Sequence, residues 1–105
     1  MKDNAKSKAE RLEQILIELK AEYLATLPSK ITLLEELIHQ SKWALITEEL
    51  HKLKGTGKTY GLPEVSTLCE SLEIQSQIPL FQDQEYFLRA VFLLRKIREA
   101  HLNKS

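Results

Sequence analysis

The 105-residue chain contains one cysteine, three glycines, three prolines and one tryptophan, and each scarcity excludes something. A lone Cys69 has no partner for an internal disulfide, which rules out a disulfide-stapled scaffold and fits a reducing compartment. No Asn-Gly turn and no alternating strand pattern occurs, so a hairpin-built β fold is excluded. Neither sign of charge dominates: 15 acidic side chains balance 15 basic ones, leaving no global field to draw the chain onto nucleic acid or an acidic membrane. Any electrostatic function must be local. The longest apolar run, Ala90-Val91-Phe92-Leu93-Leu94, falls far short of the ~20 residues of a membrane span. Residues 1–8 are polar and lack the apolar centre of a secretory signal. The expectation is a cytoplasmic protein with neither nucleic acid nor membrane as partner.

What is present is helical periodicity, in a chain whose 43% apolar content suffices for one modest core. Residues 1–8 carry no apolar face and are expected to fray. Leu12, Ile15, Leu16, Leu19 and Tyr23 then recur three and four apart as one stripe, which Leu24 and Leu27 extend. Proline inside a helix costs ~3 kcal/mol, so Pro28 predicts a break or kink. A second stripe follows in Ile31, Leu34, Leu37 and Ile38, and Ser41 is placed to cap the next helix. That helix, over 42–60, carries Trp43, Ile46, Leu50 and Leu53 on its apolar side, and Gly61 suits its stop. Pro63 suits the first turn of a helix over 63–75 built on Val65, Leu68, Cys69 and Leu72. Residues 76–82 are the longest predicted loop. Asp83 then caps a last helix with the stripe Phe87, Ala90, Val91, Leu94 and Ile97, ending near His101. The pattern predicts one all-α domain: an antiparallel four-helix bundle with an additional N-terminal helix packed on it. No second apolar face is evident, which predicts a monomer.

The chemistry-bearing stretch is His51-Lys52-Leu53-Lys54-Gly55-Thr56-Gly57-Lys58-Thr59-Tyr60-Gly61. On a continuous helix, Lys54 and Gly55 lie one turn beyond His51 and Lys58 two turns beyond, all within roughly 60° of the histidine. The apolar stripe is centred roughly 130° away, so His51 points outward from a helix held from behind. A neutral imidazole nitrogen is a nucleophile. The ammonium groups of Lys54 and Lys58 favour the neutral ring and can take up a phosphoryl group's charge, Lys54 being the nearer. Each glycine inside a helix costs ~1 kcal/mol relative to alanine, so two in one turn need a reason. Gly57 falls on the apolar stripe, where a missing side chain permits close helix packing. Gly55 falls on the His51 face, where it leaves room for something large to approach. Ala44, Thr47 and Glu48 share that face and complete a candidate docking rim.

Plainer readings compete with each of these. A single helical histidine is commonly a solvated polar residue, and both glycines become loop if the helix stops at Leu53. Gly55-Thr56-Gly57-Lys58-Thr59 imitates the tail of a phosphate-binding P-loop, but Lys52 stands where that pattern needs a glycine and a helix stands where it needs a strand. His39, His51, Cys69 and His101 show no metal-ligand spacing, so no metal site is expected. Cys69 and Trp43 read as core, and Glu70 and Glu73 as a solvated helix face.

The run Leu50-His51-Lys52-Leu53-Lys54-Gly55 through Tyr60-Gly61 resembles the His-x-x-Lys-Gly signature of histidine-containing phosphotransfer (HPt) domains. Lys42-Trp43 at the helix start and Leu68-Cys69-Glu70-Ser71-Leu72-Glu73 on the following helix agree, and the likeness covers nearly the whole chain from about Ala9. The resemblance implies a four-helix bundle presenting His51 as phosphoacceptor in a two-component phosphorelay. His51 would take a phosphoryl group from a receiver-domain aspartate and pass it to another receiver. It implies Lys54 as the phosphate-stabilising cation and Gly55 as the opening for the receiver, while Lys58, by its helical spacing alone, is a candidate for electrostatic support. It further implies a hybrid histidine kinase and response-regulator receivers as partners, no cofactor of its own, Mg²⁺ on the receiver, and no autonomous kinase activity. Two alternatives compete with a free relay protein. One is a non-catalytic module that binds a receiver or kinase with His51 incidental. The other is the phosphotransfer domain of a larger kinase.

Overall fold

A computed structural model describes residues 4–104 of the chain. Four helices follow one another: α1 Asn4–His39, α2 Trp43–Thr59, α3 Pro63–Ser76 and α4 Gln84–Leu102, with a single 3₁₀ turn at Pro79–Phe81 before the last. No strand occurs among the described residues. The predicted stripes meet in one core, where Leu27, Ile31, Leu34 and Ile38 of α1 face Ile46 and Leu50 of α2, Val65, Cys69 and Leu72 of α3, and Phe87, Val91 and Leu94 of α4.

The N-terminal segment is helical but continuous with α1, because Pro28 does not break the helix. Proline lacks the N–H that should bond the carbonyl four residues back, which here belongs to Leu24. Arg98 of α4 supplies the missing donor: its Nε donates to the Leu24 carbonyl at 2.7 Å. A tertiary contact thus replaces the bond whose loss the local sequence predicts. The start expected to fray over 1–8 falls partly on residues 1–3, outside the described residues; from Asn4 onward the chain is helical. Extending an existing helix costs far less than nucleating one.

Both tight turns close in the same way. Lys42 N–H bonds the Leu37 carbonyl and Ser41 N–H that of Ile38, while Leu62 and Gly61 do the same to Gly57 and Lys58. In each the second residue past the helix is left-handed, Ser41 at φ 54° and Gly61 at φ 89°. Ser41 therefore ends α1 and does not cap α2; Lys42 holds that cap position, and the Ser41 hydroxyl accepts from Gln84 Nε2. Asp83 does cap α4, accepting from Tyr86 N–H at 3.2 Å.

α2 and α3 pack most closely, and Gly57 is why. A Cβ at Gly57 would sit 2.9 Å from Val65 Cβ and 3.0 Å from the Ser66 backbone nitrogen. At the other end of the pair, Thr47 and the buried Ser76 share a 2.6 Å hydroxyl–hydroxyl bond. α1 joins through Tyr23, stacked on Tyr60 and bonded to the Thr56 hydroxyl. α4 joins through Phe87 under the edge of Trp43, and through buried His101, whose Nε2 lies 3.0 Å from Glu64.

At ~1.5 Å per residue α1 is about twice as long as its neighbours. Its N-terminal half overhangs the bundle and draws the molecule out to 62 × 23 × 17 Å. Leu12, Ile15, Leu16, Ile17 and Leu19 are exposed along it. The expectations that this segment packs on the bundle and that no second apolar face exists are both overturned. The stripe is real, but α2 ends before reaching it.

Candidate functional site

α2 is continuous through both glycines, so His51, Lys54, Gly55 and Lys58 lie along one helix as their spacing predicts. Leu50 and Leu53 anchor that stretch in the core, and the His51 side chain stands 66% exposed on the opposite side. An exposed ring on a rigid helix is reachable by a macromolecular partner. Gly55 is equally open: a Cβ there would meet nothing within 4 Å.

The ring is nevertheless not free to rotate. Glu73, from α3, places Oε2 2.9 Å from His51 Nδ1 and Oε1 3.1 Å from Lys54 Nζ. The Lys54 contact is an ion pair and not an aligned hydrogen bond, since buried Oε1 has no partner of hydrogen-bonding geometry. Partial burial pushes the Glu73 carboxyl up, but Lys54 and His51 beside it outweigh that effect and hold it below the usual range. It is therefore ionised and accepts only, so Nδ1 carries the hydrogen that donates to it. For the neutral ring the tautomer follows: Nε2 is the nitrogen that holds the lone pair, on a side chain that is largely exposed. One carboxylate thus fixes the ring's orientation, leaves one nitrogen nucleophilic and parks an ammonium group beside it.

Glu73 was read from the sequence as solvated surface, and that reading is overturned. Its side chain is only 14% exposed and is the hub of the site. The signal was available. Residues equidistant from the Gly61–Leu62 turn face each other in an antiparallel pair: Gly57 meets Val65 and Ser66, and Thr47 meets Ser76. The same reckoning places His51 opposite 72–73, where the polar choice is Glu73. Glu70 is exposed as expected.

Lys58, two turns from His51, is exposed near the base of the α1 overhang and takes no part in the Glu73 ion pairs. Ala44 and Glu48 are exposed on the N-terminal side of His51. Thr47 is half-buried, its hydroxyl engaged by the Trp43 carbonyl and Ser76. Among the described residues no three His, Cys, Asp or Glu gather as a metal site, and no helix is long and apolar enough to cross a membrane. Cys69 is fully buried, and burial, with Glu73 nearby, pushes its thiol up to about 12, so it is core and not nucleophile.

The family model of the Hpt domain matches residues 18–100. The chain belongs to the Hpt-domain family. Searches of curated proteins and of solved structures find no match. Hpt domains are helical bundles that serve phosphotransfer in two-component systems, interacting with receiver domains and histidine kinases. The match begins within the overhang, at residue 18, and takes in every residue of the Glu73 clamp. In this Hpt domain the exposed histidine, the cation one turn on and the side-chain-free position beside it stand on one helix, held from behind by buried Leu50 and Leu53.

Proposed function

We propose that His51 is the phosphoacceptor of a relay, taking a phosphoryl group from a receiver-domain aspartate and delivering it to another receiver. The observation that carries this is the Glu73 clamp, which holds Nδ1–H and Lys54 and leaves Nε2 open on an exposed ring. In the forward step the Nε2 lone pair forms a bond to phosphorus as the bond to the aspartyl oxygen breaks, and the carboxylate leaves with that electron pair. The imidazole acquires positive charge, which the Glu73 carboxylate at Nδ1 stabilises. Lys54, released in part from Glu73, turns to the new phosphoryl oxygens. Lys58 adds positive potential from two turns away. The receiver docks over Gly55, with Ala44 and Glu48 on the rim and Thr47 beneath it. No cofactor belongs to this chain; the Mg²⁺ that shields the phosphoryl group is the receiver's. The cognate partners are a hybrid histidine kinase and a response regulator, in the cytoplasm. Such transfer needs positioning and charge stabilisation above all, which this geometry supplies.

The test is transfer of label from a phosphorylated receiver to the wild type beside His51→Gln and Glu73→Gln. Acid-labile label on the wild type, none on His51→Gln and slower uptake by Glu73→Gln is the expected pattern. Label retained by His51→Gln overturns the assignment. A folded wild type that binds receivers yet takes no label is instead a non-catalytic binding module.

A further inference from the structure

Ser76, the last residue of α3, is polar yet buried at 1% exposure, and the chemistry above gives it no part. Its hydroxyl lies 2.7 Å from the Glu73 carbonyl and 2.6 Å from the Thr47 hydroxyl of α2, itself 2.9 Å from the Trp43 carbonyl. Two hydroxyl hydrogens serve these three contacts. Two oxygens do not rest 2.6 Å apart without a hydrogen between them, so one always joins the helices, whichever residue donates it. The Glu73 carbonyl keeps a second donor in Gln77 Nε2, at 3.1 Å. Another hydroxyl crosses the same interface: half-buried Ser66 of α3 donates to the Lys54 carbonyl of α2.

These two links bracket the site. Thr47 stands one turn before His51 and Ser76 about one turn after Glu73, while Lys54 lies beyond His51 and Ser66 two turns before Glu73. The core sides of the two helices are apolar, Leu50 and Leu53 on one and Cys69 and Leu72 on the other. Apolar packing is non-directional and tolerates a small slide or roll of one helix on the other, whereas a hydrogen bond does not. The Glu73–His51 contact, at 2.9 Å, depends on that register, because a displacement of ~0.5 Å takes it out of the favourable range. We infer that Ser76 and Ser66 are positioning residues for phosphoryl transfer: with Thr47 and the Lys54 carbonyl they fix α3 on α2 in the register that seats the Glu73 carboxylate on His51 Nδ1. This deepens the relay reading and rests on it. Ser76, being buried, touches neither the phosphoryl group nor a receiver, so its effect passes through Glu73.

The test is Ser76→Ala, with and without Glu73→Ala, in transfer of label from a phosphorylated receiver, circular dichroism confirming that each variant is folded. Ser76→Ala alone should lower the rate at saturating receiver about three- to tenfold without raising the receiver concentration needed for half-saturation. In the Glu73→Ala background the same substitution should cost less than about twofold, because the carboxylate it positions is gone. Equal losses in both backgrounds make Ser76 a merely structural residue and overturn the inference, as does transfer by Ser76→Ala at the wild-type rate. Nitrogen NMR of the His51 ring reads the same geometry with no receiver present. With the ring neutral, the wild type should show the Nδ1–H form, and Ser76→Ala and Ser66→Ala should each admit a share of the Nε2–H form. A tautomer unchanged in both serine variants overturns the positioning whatever the transfer result. Were the wild type to take no label, the relay reading would fall, and the ring signal would still decide whether the serines position Glu73.

Discussion

Gly55 and Gly57 stand two positions apart on one helix and are absent of side chain for opposite reasons. Gly55 faces open space, so alanine there should raise stability by about 0.5–1 kcal/mol through helix propensity. Glutamine at the same position should leave the fold intact but block phosphoryl transfer, because the receiver then meets a side chain beside His51. Gly57 faces the backbone of α3, which cannot yield as a flexible side chain can. Gly57→Ala should therefore cost about 1–3 kcal/mol of overpacking, only partly offset by helix propensity. Chemical denaturation of the two alanine variants, with a transfer assay on Gly55→Gln, checks all three. A destabilised Gly55→Ala would mean the position is not open, and normal transfer by folded Gly55→Gln would remove the docking argument.

At the level of the helices, the long α1 depends on a donor from outside itself. Arg98→Ala strands the Leu24 carbonyl and should cost about 1 kcal/mol at this partly exposed site. In a Pro28→Ala background the alanine N–H serves the same carbonyl, so removing Arg98 should cost clearly less. A double-mutant cycle measures the difference, and perfect additivity would show that the two residues do not share that carbonyl. The same pair shows where sequence reading stops. Every apolar stripe, the continuity of α2, the Gly61 stop and the Asp83 cap follow from spacing and residue type, and they suffice for the bundle. Pro28 reads as a break because its partner is 70 positions away in the chain. Glu73 reads as surface because the reason for its burial lies on another helix. His51, Lys54 and Gly55 are legible because their relation is local, carried by a single helix. Whether the N-terminal stripe finds cover depends on where α2 ends in space, which its own periodicity does not contain.

For the molecule as a whole, acid stability follows from two carboxylates. Glu73 is held low against its burial by Lys54 and His51, and Glu64 by the helix N-terminal backbone and then His101. A carboxyl whose folded-state pKa lies below its unfolded value of ~4.3 contributes stability that is fully present above that value. The contribution disappears as pH falls through the folded-state pKa. Glu73→Gln should therefore lower stability at pH 7 yet leave it nearly unchanged once the pH is below both values. Denaturation curves of both proteins across that range should converge at the acid end; a constant gap would locate the effect in packing instead.

The Gly61 turn has a consequence for chain length. His51 and Glu73 sit on different helices, and the short link from Tyr60 to Leu62 sets which residue of α3 faces the imidazole. Adding or removing one residue there turns α3 by ~100° about its axis and carries Glu73 away from the ring. The stretch between α3 and α4 joins no residues of the site and can lengthen or shorten without touching it. Insertions and deletions should thus accumulate in one connection and be purged from the other, so the spacing between histidine and glutamate is inherited as strictly as the residues themselves.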